Sequence, residues 1–342
     1  MADNILEVRD LKTHFHTNDG VVKAVDGVDL HVEKGEILAI VGESGCGKSV
    51  TSQSIMRLIG AKSSEKVSGE ILYHGEDLLS KTEKEMRQIR GKDMSMVFQD
   101  PMTSLNPAYK VGTQIAEMPI IHEKKDKKSS WKRAIDMLTK VGIPSPEKRA
   151  SQYPHQFSGG MRQRGVVAMS LACDPDLIIA DEPTTALDVT IQAQVLDLLR
   201  KLRDDTGTAI MMITHDLGVV AELCDRVAVM YAGKIVEEGT VADIFDNPQH
   251  PYTQGLIHSL PKPGSRERLK PIEGQPPNLH NLPEGCRFQD RCPFVMDVCR
   301  EKQPELVPAD KQDHQAACWL MGEEENDGDG RTGESEEPEK TF

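Results

Sequence analysis

Eight residues set between a strand-like run and a helix-like one limit the fold of this chain more than any other feature. Gly42 to Ser49 reads G-E-S-G-C-G-K-S, follows the apolar stretch Glu36–Val41 (EILAIV) and precedes the helix-forming segment Val50–Ile59. A strand that enters a helix through such a loop is a P-loop in the context that the motif requires. Gly42, Gly45 and Gly47 free the backbone N–H groups to point inward, and the following helix presents its positive dipole end. Lys48 would reach the β- and γ-phosphates of a bound nucleotide, and the Ser49 hydroxyl would ligate Mg2+. Stripped of the strand and helix beside it, the same loop would mark only a tight turn with an incidental lysine.

A second constellation lies far downstream. Phe157–Arg164 reads F-S-G-G-M-R-Q-R, a capping serine and two glycines ahead of a helical run, which is another surface suited to an anion. An apolar strand then ends in two carboxylates (Leu177–Glu182, LIIADE), Ala186-Leu187-Asp188 forms a short loop, and the apolar run Ala209–Thr214 leads directly into His215. Taken in this order, the motifs resemble the ATP-binding subunits of ABC transporters. The resemblance identifies Walker A at 42–49, the signature at 157–161, Walker B at 177–182, the D-loop at 186–188 and the switch histidine at 215, and it spans about residues 5 to 260. The implied fold is α/β: a P-loop NTPase cassette with a mainly parallel core sheet, an antiparallel β edge, a helical subdomain and a small irregular C-terminal extension.

The resemblance also implies roles for single residues. Gly42, Glu43, Ser44, Gly45, Cys46, Gly47, Lys48, Ser49 and Val50 would surround the phosphates, with Mg2+ held through Ser49, Asp181 and Gln99. Glu182 is the candidate to polarise the attacking water, and His215 would bond the γ-phosphate and orient Glu182. Gln99, after the strand Met94–Phe98, would contact magnesium or water and begin the loop that faces a membrane subunit. Phe15 is placed to stack on adenine, with His14 and His16 as substitutes. Ser158, Gly159, Gly160 and Asp188 would contact ATP held by the opposite subunit, so one chain cannot complete a site and a head-to-tail dimer follows. Phe157 and Met161 depart from the commonest signature, which has leucine and glutamine there, yet the serine hydroxyl and the glycine N–H groups are kept.

Length and charge set outer limits. The 342 residues exceed one typical domain. The formal charge of −14 argues against broad nucleic-acid binding. About half of it lies in residues 323–342, nine acidic and two basic, which read as a disordered solvating tail. No apolar run approaches the roughly 20 residues needed to cross a bilayer, and MADNILEVRD lacks a basic region followed by an apolar core. A membrane role is therefore expected to run through separate subunits. The division expected is a nucleotide-binding domain over 1–260 with its helical subdomain at about 100–165, an extension over 261–320 and the acidic tail over 321–342. Within the helical part, Lys124-Lys125-Asp126-Lys127-Lys128 is favoured as a solvated helix connection over a lipid or nucleic-acid contact.

The C-terminal part narrows the resemblance. N-P-Q-H-P-Y-T (Asn247–Thr253), together with V-F-Q-D-P-M-T-S-L-N-P and F-S-G-G-M-R-Q-R, resembles the oligopeptide and dipeptide importer ATPases, a group that also includes nickel importers. Cys286, Cys292, Cys299 and Cys318 lie in the extension, whereas Cys46, Cys173 and Cys224 sit in the cassette as ordinary small residues. A reducing cytosol disfavours disulfides, and the spacing lacks the close cysteine pairs of zinc sites. An iron–sulfur cluster takes four thiolates at wider spacing, and some members of the resembled group carry one here. Iron–sulfur thus stands ahead of zinc, with free thiols as the remaining alternative.

The resemblance as a whole implies an ATP-binding and ATP-hydrolysing subunit of an importer of di- and oligopeptides, peripheral on the cytoplasmic face of the cell membrane. Its expected partners are a second ATPase subunit, identical or not, two integral permease subunits, and indirectly an extracellular substrate-binding protein, with no nucleic acid. Import of nickel or another small solute, and a soluble ABC ATPase outside transport, are the alternatives.

Overall fold

The computed structural model describes residues 3–60, 62, 64–98, 104–184, 189–260, 271–309, 311 and 313–321. Gln99, Asp188 and residues 322–342 of the acidic tail lie outside the described residues.

The first two strands, β1 (Asn4–Thr17) and β2 (Gly20–Glu33), form a long antiparallel hairpin. The turn at Asn18-Asp19 closes tightly, with Thr17 paired to Gly20, so pairing begins at its very edge. Next come β3 (Ile37–Val41), α1 (Lys48–Ile55), β4 (Glu65–Tyr73) and β5 (Glu76–Asp77). The hairpin joins β4 and β5 in an antiparallel sheet of order β2-β1-β4-β5. Helix α1 stops short of Ile59 because Arg57 adopts a left-handed backbone and donates to the Leu78 carbonyl.

After α2 (Glu83–Ile89) and β6 (Met94–Val97), a helical layer follows: α3 (Val111–His122), α4 (Lys127–Lys140), α5 (Pro146–Ala150) and α6 (Gly159–Ser170). It packs around its own apolar cluster, including Ile115, Met137, Leu138 and Val167. Asp126, in the basic run, caps α4 through the N–H groups of Lys128 and Ser129, so this run is an exposed helix start. The chain returns to the core through β7 (Leu177–Asp181), α7 (Val189–Thr206), β8 (Ala209–Ile213), α8 (Leu217–Leu223), β9 (Arg226–Tyr231) and β10 (Lys234–Thr240), followed by α9 (Val241–Asp246) and α10 (Pro251–His258). The extension supplies α11 (Asp297–Glu301), β11 (Val307–Pro308) and β12 (Gln315–Ala316).

The core sheet has the order β6-β7-β8-β3-β9-β10-β12-β11, parallel from β6 to β9 and antiparallel beyond. Strands β3, β7 and β8 are buried at every residue because both faces are covered. The antiparallel sheet and α1 lie on one face, and α7 and α8 pack on the other. Strand order places β8 between β3 and β7, so three loops leave the carboxyl ends of adjacent parallel strands. That is where open α/β sheets bind ligands.

The extension is small and mostly irregular, and its β12 pairs with β10 at the edge of the core sheet. Beside this pairing the fully buried Glu237 accepts the N–H groups of Gln249 and His250 and lies 2.8 Å from His314 Nε2.

His250 Nδ1 accepts the Tyr252 N–H at the start of α10, and burial pushes this imidazole down to about 3. The unfolded chain takes up a proton below about pH 6.5 while the native ring stays neutral. The stabilisation is therefore complete above about pH 6.5 and is lost toward pH 3, with a slope of about 1.4 kcal/mol per pH unit. His250→Asn keeps an acceptor without the titration, so its unfolding free energy, measured by urea denaturation between about pH 4 and 5.5, should fall less steeply with acid by that amount. An unchanged slope would refute the assignment.

Candidate nucleotide-binding and hydrolysis site

Gly42–Ser49 links β3 to α1, and its glycines answer to different constraints. A Cβ on Gly42 would run into the Met230 carbonyl oxygen and one on Gly47 into that of Ala24, both at positive φ. Close backbone approach therefore fixes these two, while Gly45 and Ser44 face solvent. Lys48 is buried and folds back on the loop, donating to the carbonyls of Gly42 at 2.7 Å and Glu43 at 2.9 Å. Cys46 is a buried core thiol 3.8 Å from Lys48 Nζ, and burial pushes its pKa up. Val50 lies in the first turn of α1 and packs on the core.

Ser49 Oγ donates to Asp181 Oδ1 at 3.0 Å across the end of β8. Burial raises the Asp181 carboxyl, with Glu182 adding to the effect, against the opposing Ser49 bond and Lys48 charge. A hydroxyl and a carboxylate that is short of positive charge form a hard-oxygen pair suited to Mg2+. Strand β7 ends at Asp181, one residue earlier than the expected Glu182, because Glu182 turns left-handed at φ 47°. Its N–H is tied to the Ile213 carbonyl at 2.8 Å, and its Oε1 lies 3.2 Å from His215 Nδ1. Left-handed backbone at a glutamate is strained and persists only where its surroundings enforce it. His215 follows β8, which stops at Ile213, and its side chain is exposed.

Ser158 caps α6 by accepting the Met161 N–H at 3.3 Å, and Ser158 and Gly159 both face solvent. A Cβ on Gly159 would meet nothing within 4 Å. Phe157 points the other way, into the core of the helical layer, so the departure from leucine is a matter of packing. On β1, His14 Nε2 is engaged with Asp26 Oδ1 at 2.9 Å, His16 is exposed, and Phe15 is partly buried. Of these three rings, Phe15 combines partial shelter with an apolar face. The structure thus brings Ser49, Asp181, Glu182 and His215 together at the carboxyl ends of β3, β7 and β8.

Residues 25–185 match the family model described as ABC transporter, and residues 236–299 match the one described as oligopeptide/dipeptide transporter, C-terminal region. The oligopeptide transport ATP-binding protein OppD of Bacillus subtilis is 54% identical over 93% of this chain and 89% of its own length. The probable peptide ABC transporter ATP-binding protein y4tR of Sinorhizobium fredii is 53% identical over 94% of this chain and 96% of its own. The chain belongs to the oligopeptide/dipeptide family of ABC transporter ATP-binding proteins. Among solved structures, the dimeric ATP-binding cassette MJ0796 bound to ADP and Pi superposes with a TM-score of 0.62 at 26% identity, covering 69% of this chain and 98% of that one.

As a member of this family, the ABC protein binds and hydrolyses ATP as a transporter subunit. Among the described residues, no helix is long and apolar enough to cross a membrane.

Several neighbours of the site carry no signal in the sequence. The Tyr252 hydroxyl accepts the Glu43 N–H at 2.9 Å from 209 positions away. Arg291, 248 positions away, holds the Glu43 carboxylate with both terminal nitrogens, at 2.7 and 2.9 Å. Gln163 of α6 donates to the Pro183 carbonyl at 2.6 Å, joining the signature helix to the segment after Glu182.

Cys286, Cys292, Cys299 and Cys318 of this ABC protein line one cavity with His250, Phe288 and Trp319. All four are free thiols, and burial pushes Cys286 and Cys318 up to about 11. Among the described residues, no three His, Cys, Asp or Glu side chains are grouped closely enough to hold a metal ion.

Proposed function

We propose that this chain powers the import of di- and oligopeptides from the cytoplasmic face of the cell membrane, through two integral permease subunits supplied by an extracellular binding protein. The observation that carries the peptide assignment is the near full-length identity of 53–54% to proteins named for peptide and oligopeptide transport, including the C-terminal region. Residues 1–260 form the nucleotide-binding unit in this reading, 261–320 the extension and 321–342 a solvating tail.

The ATP triphosphate lies along Gly42–Ser49, with Lys48 moving from the carbonyls of its own loop to the β- and γ-phosphates. Phe15 stacks on the adenine. Ser49, Asp181 and Gln99 would hold Mg2+, which neutralises phosphate charge when bound. Glu182 accepts the proton of the attacking water, and His215 fixes the orientation of Glu182 and bonds the γ-phosphate. Ser158, Gly159, Gly160 and Asp188 act on the ATP of the opposite subunit, and the exposure of Ser158 and Gly159 supports this.

The four extension cysteines hold an iron–sulfur cluster in this reading. What supports this reading is that all four thiols line one cavity, and four thiolates are the ligand set of such a cluster. They would serve as a structural clip, since no step of phosphoryl transfer uses them.

Affinity isolation of the tagged chain from membranes, with mass spectrometry of co-purifying proteins, tests the transporter assignment. Two integral permeases and a second ATPase subunit are expected, and peptide uptake should be lost on deletion of the chain. Isolation without any integral membrane protein would defeat the assignment, and recovery with a metal-binding extracellular protein would redirect it to nickel.

A further inference from the structure

Glu43 is the one acidic side chain in the eight-residue phosphate loop. Its carbonyl takes a bond from Lys48, so its carboxylate lies within about one Debye length of the ammonium that meets the triphosphate. A bare carboxylate there would repel ATP, and the structure answers it from the C-terminal extension. Arg291 grips both oxygens of Glu43 and is itself almost wholly buried, with its side chain 4% exposed. Its guanidinium also donates to the carbonyls of Glu273 and Ile272 and stacks over the rings of Tyr231 and Phe288. Meanwhile the Tyr252 hydroxyl fixes the N–H of the same glutamate. Glu43 is thereby held at its N–H, its carbonyl and its carboxylate.

Resting on the assignment of Gly42–Ser49 to the triphosphate, we propose that Arg291 is a positioning residue of the nucleotide site: it neutralises Glu43 and fixes the phosphate loop from the C-terminal extension. The extension is then a working part of the ATP site in addition to packing on its flank. Cutting this one contact should not undock it. The β12–β10 pairing, the His314–Glu237 contact and the ion pair of Arg287 with Asp26 tie it down independently. A planar guanidinium with two parallel bonds does what a lysine ammonium cannot, so Arg291→Lys should restore charge without full geometry.

The test is equilibrium binding of a fluorescent ATP analogue with Mg2+ to the full-length chain, alongside thermal melting of each variant. Arg291→Met should weaken binding about tenfold, the loss expected for one buried charged hydrogen-bonded pair. The deficit should shrink as salt rises, because the uncovered Glu43 charge is screened. Adding Glu43→Gln to Arg291→Met should recover most of the affinity, and Arg291→Lys should fall between wild type and Arg291→Met. An anchor without influence on the loop would lower the melting temperature and leave affinity, its salt dependence and the Glu43→Gln rescue unmoved; that outcome overturns the proposal. Lys48→Ala separates the two levels. If it binds ATP as wild type does, the loop assignment fails, whatever Arg291 does.

Discussion

Replacing Glu182 by glutamine should abolish ATP turnover while leaving ATP binding intact. Glutamine matches glutamate in shape, so the left-handed backbone, the bond from its N–H to Ile213 and the approach to His215 can all persist. What is lost is the capacity to take a proton from water, a contribution of about 10²–10⁴ in rate. Phosphate release under saturating Mg2+ and ATP should fall by at least about a hundredfold, with the dissociation constant for ATP changed less than about threefold. The strain at Glu182 sharpens the expectation: a left-handed glutamate kept at the end of a buried strand is tolerated where function requires its placement. A variant that retained more than a tenth of the wild-type rate would show that another group activates the water.

A carboxylate at Gly159 should leave the isolated chain sound and stop hydrolysis. Gly159 begins α6 in ordinary helical backbone, and a side chain there would project into open space. Aspartate in the first turn of a helix is favoured by the dipole, so Gly159→Asp should melt within about 0.5 kcal/mol of wild type or slightly above it. The same carboxylate would stand where the γ-phosphate of the opposite subunit is proposed to sit, and charge repulsion should lower turnover by at least about a hundredfold. Binding of ATP to the chain's own loop should be unaffected. Gly160 is a poorer test site, because a Cβ there would press on Ile191. Wild-type turnover in Gly159→Asp would mean that this open surface never meets nucleotide.

What was legible in the sequence is what neighbouring residues decide together. The strands β3, β7 and β8 announce themselves as short runs of apolar residues with a chemical group at the carboxyl end, and the loop after each carries a motif of fixed spacing. The ends of α1 and β7 are set by left-handed residues, Arg57 and Glu182, for which side-chain identity gives no warning. The support of Glu43 by Tyr252 and Arg291 was illegible, because it depends on chain segments more than 200 residues apart meeting only after the fold closes. Likewise, two-residue strands such as β12 have no periodicity to read, and the buried Glu237 and His314 look like surface residues until the extension is in place. The cysteines are intermediate: their clustering was visible, but their convergence on one cavity came only with the structure.

In the proposed mechanism ATP is clasped between the phosphate loop of one ATPase subunit and the serine–glycine surface of another. Sedimentation velocity of the Glu182→Gln chain, together with whichever ATPase subunit co-purifies with it, tests this most directly. With Mg2+ and ATP the species should shift to the mass of a closed dimer, and Gly159→Asp on the same background should prevent the shift. An identical sedimentation profile with and without saturating ATP would rule out this clasped dimer.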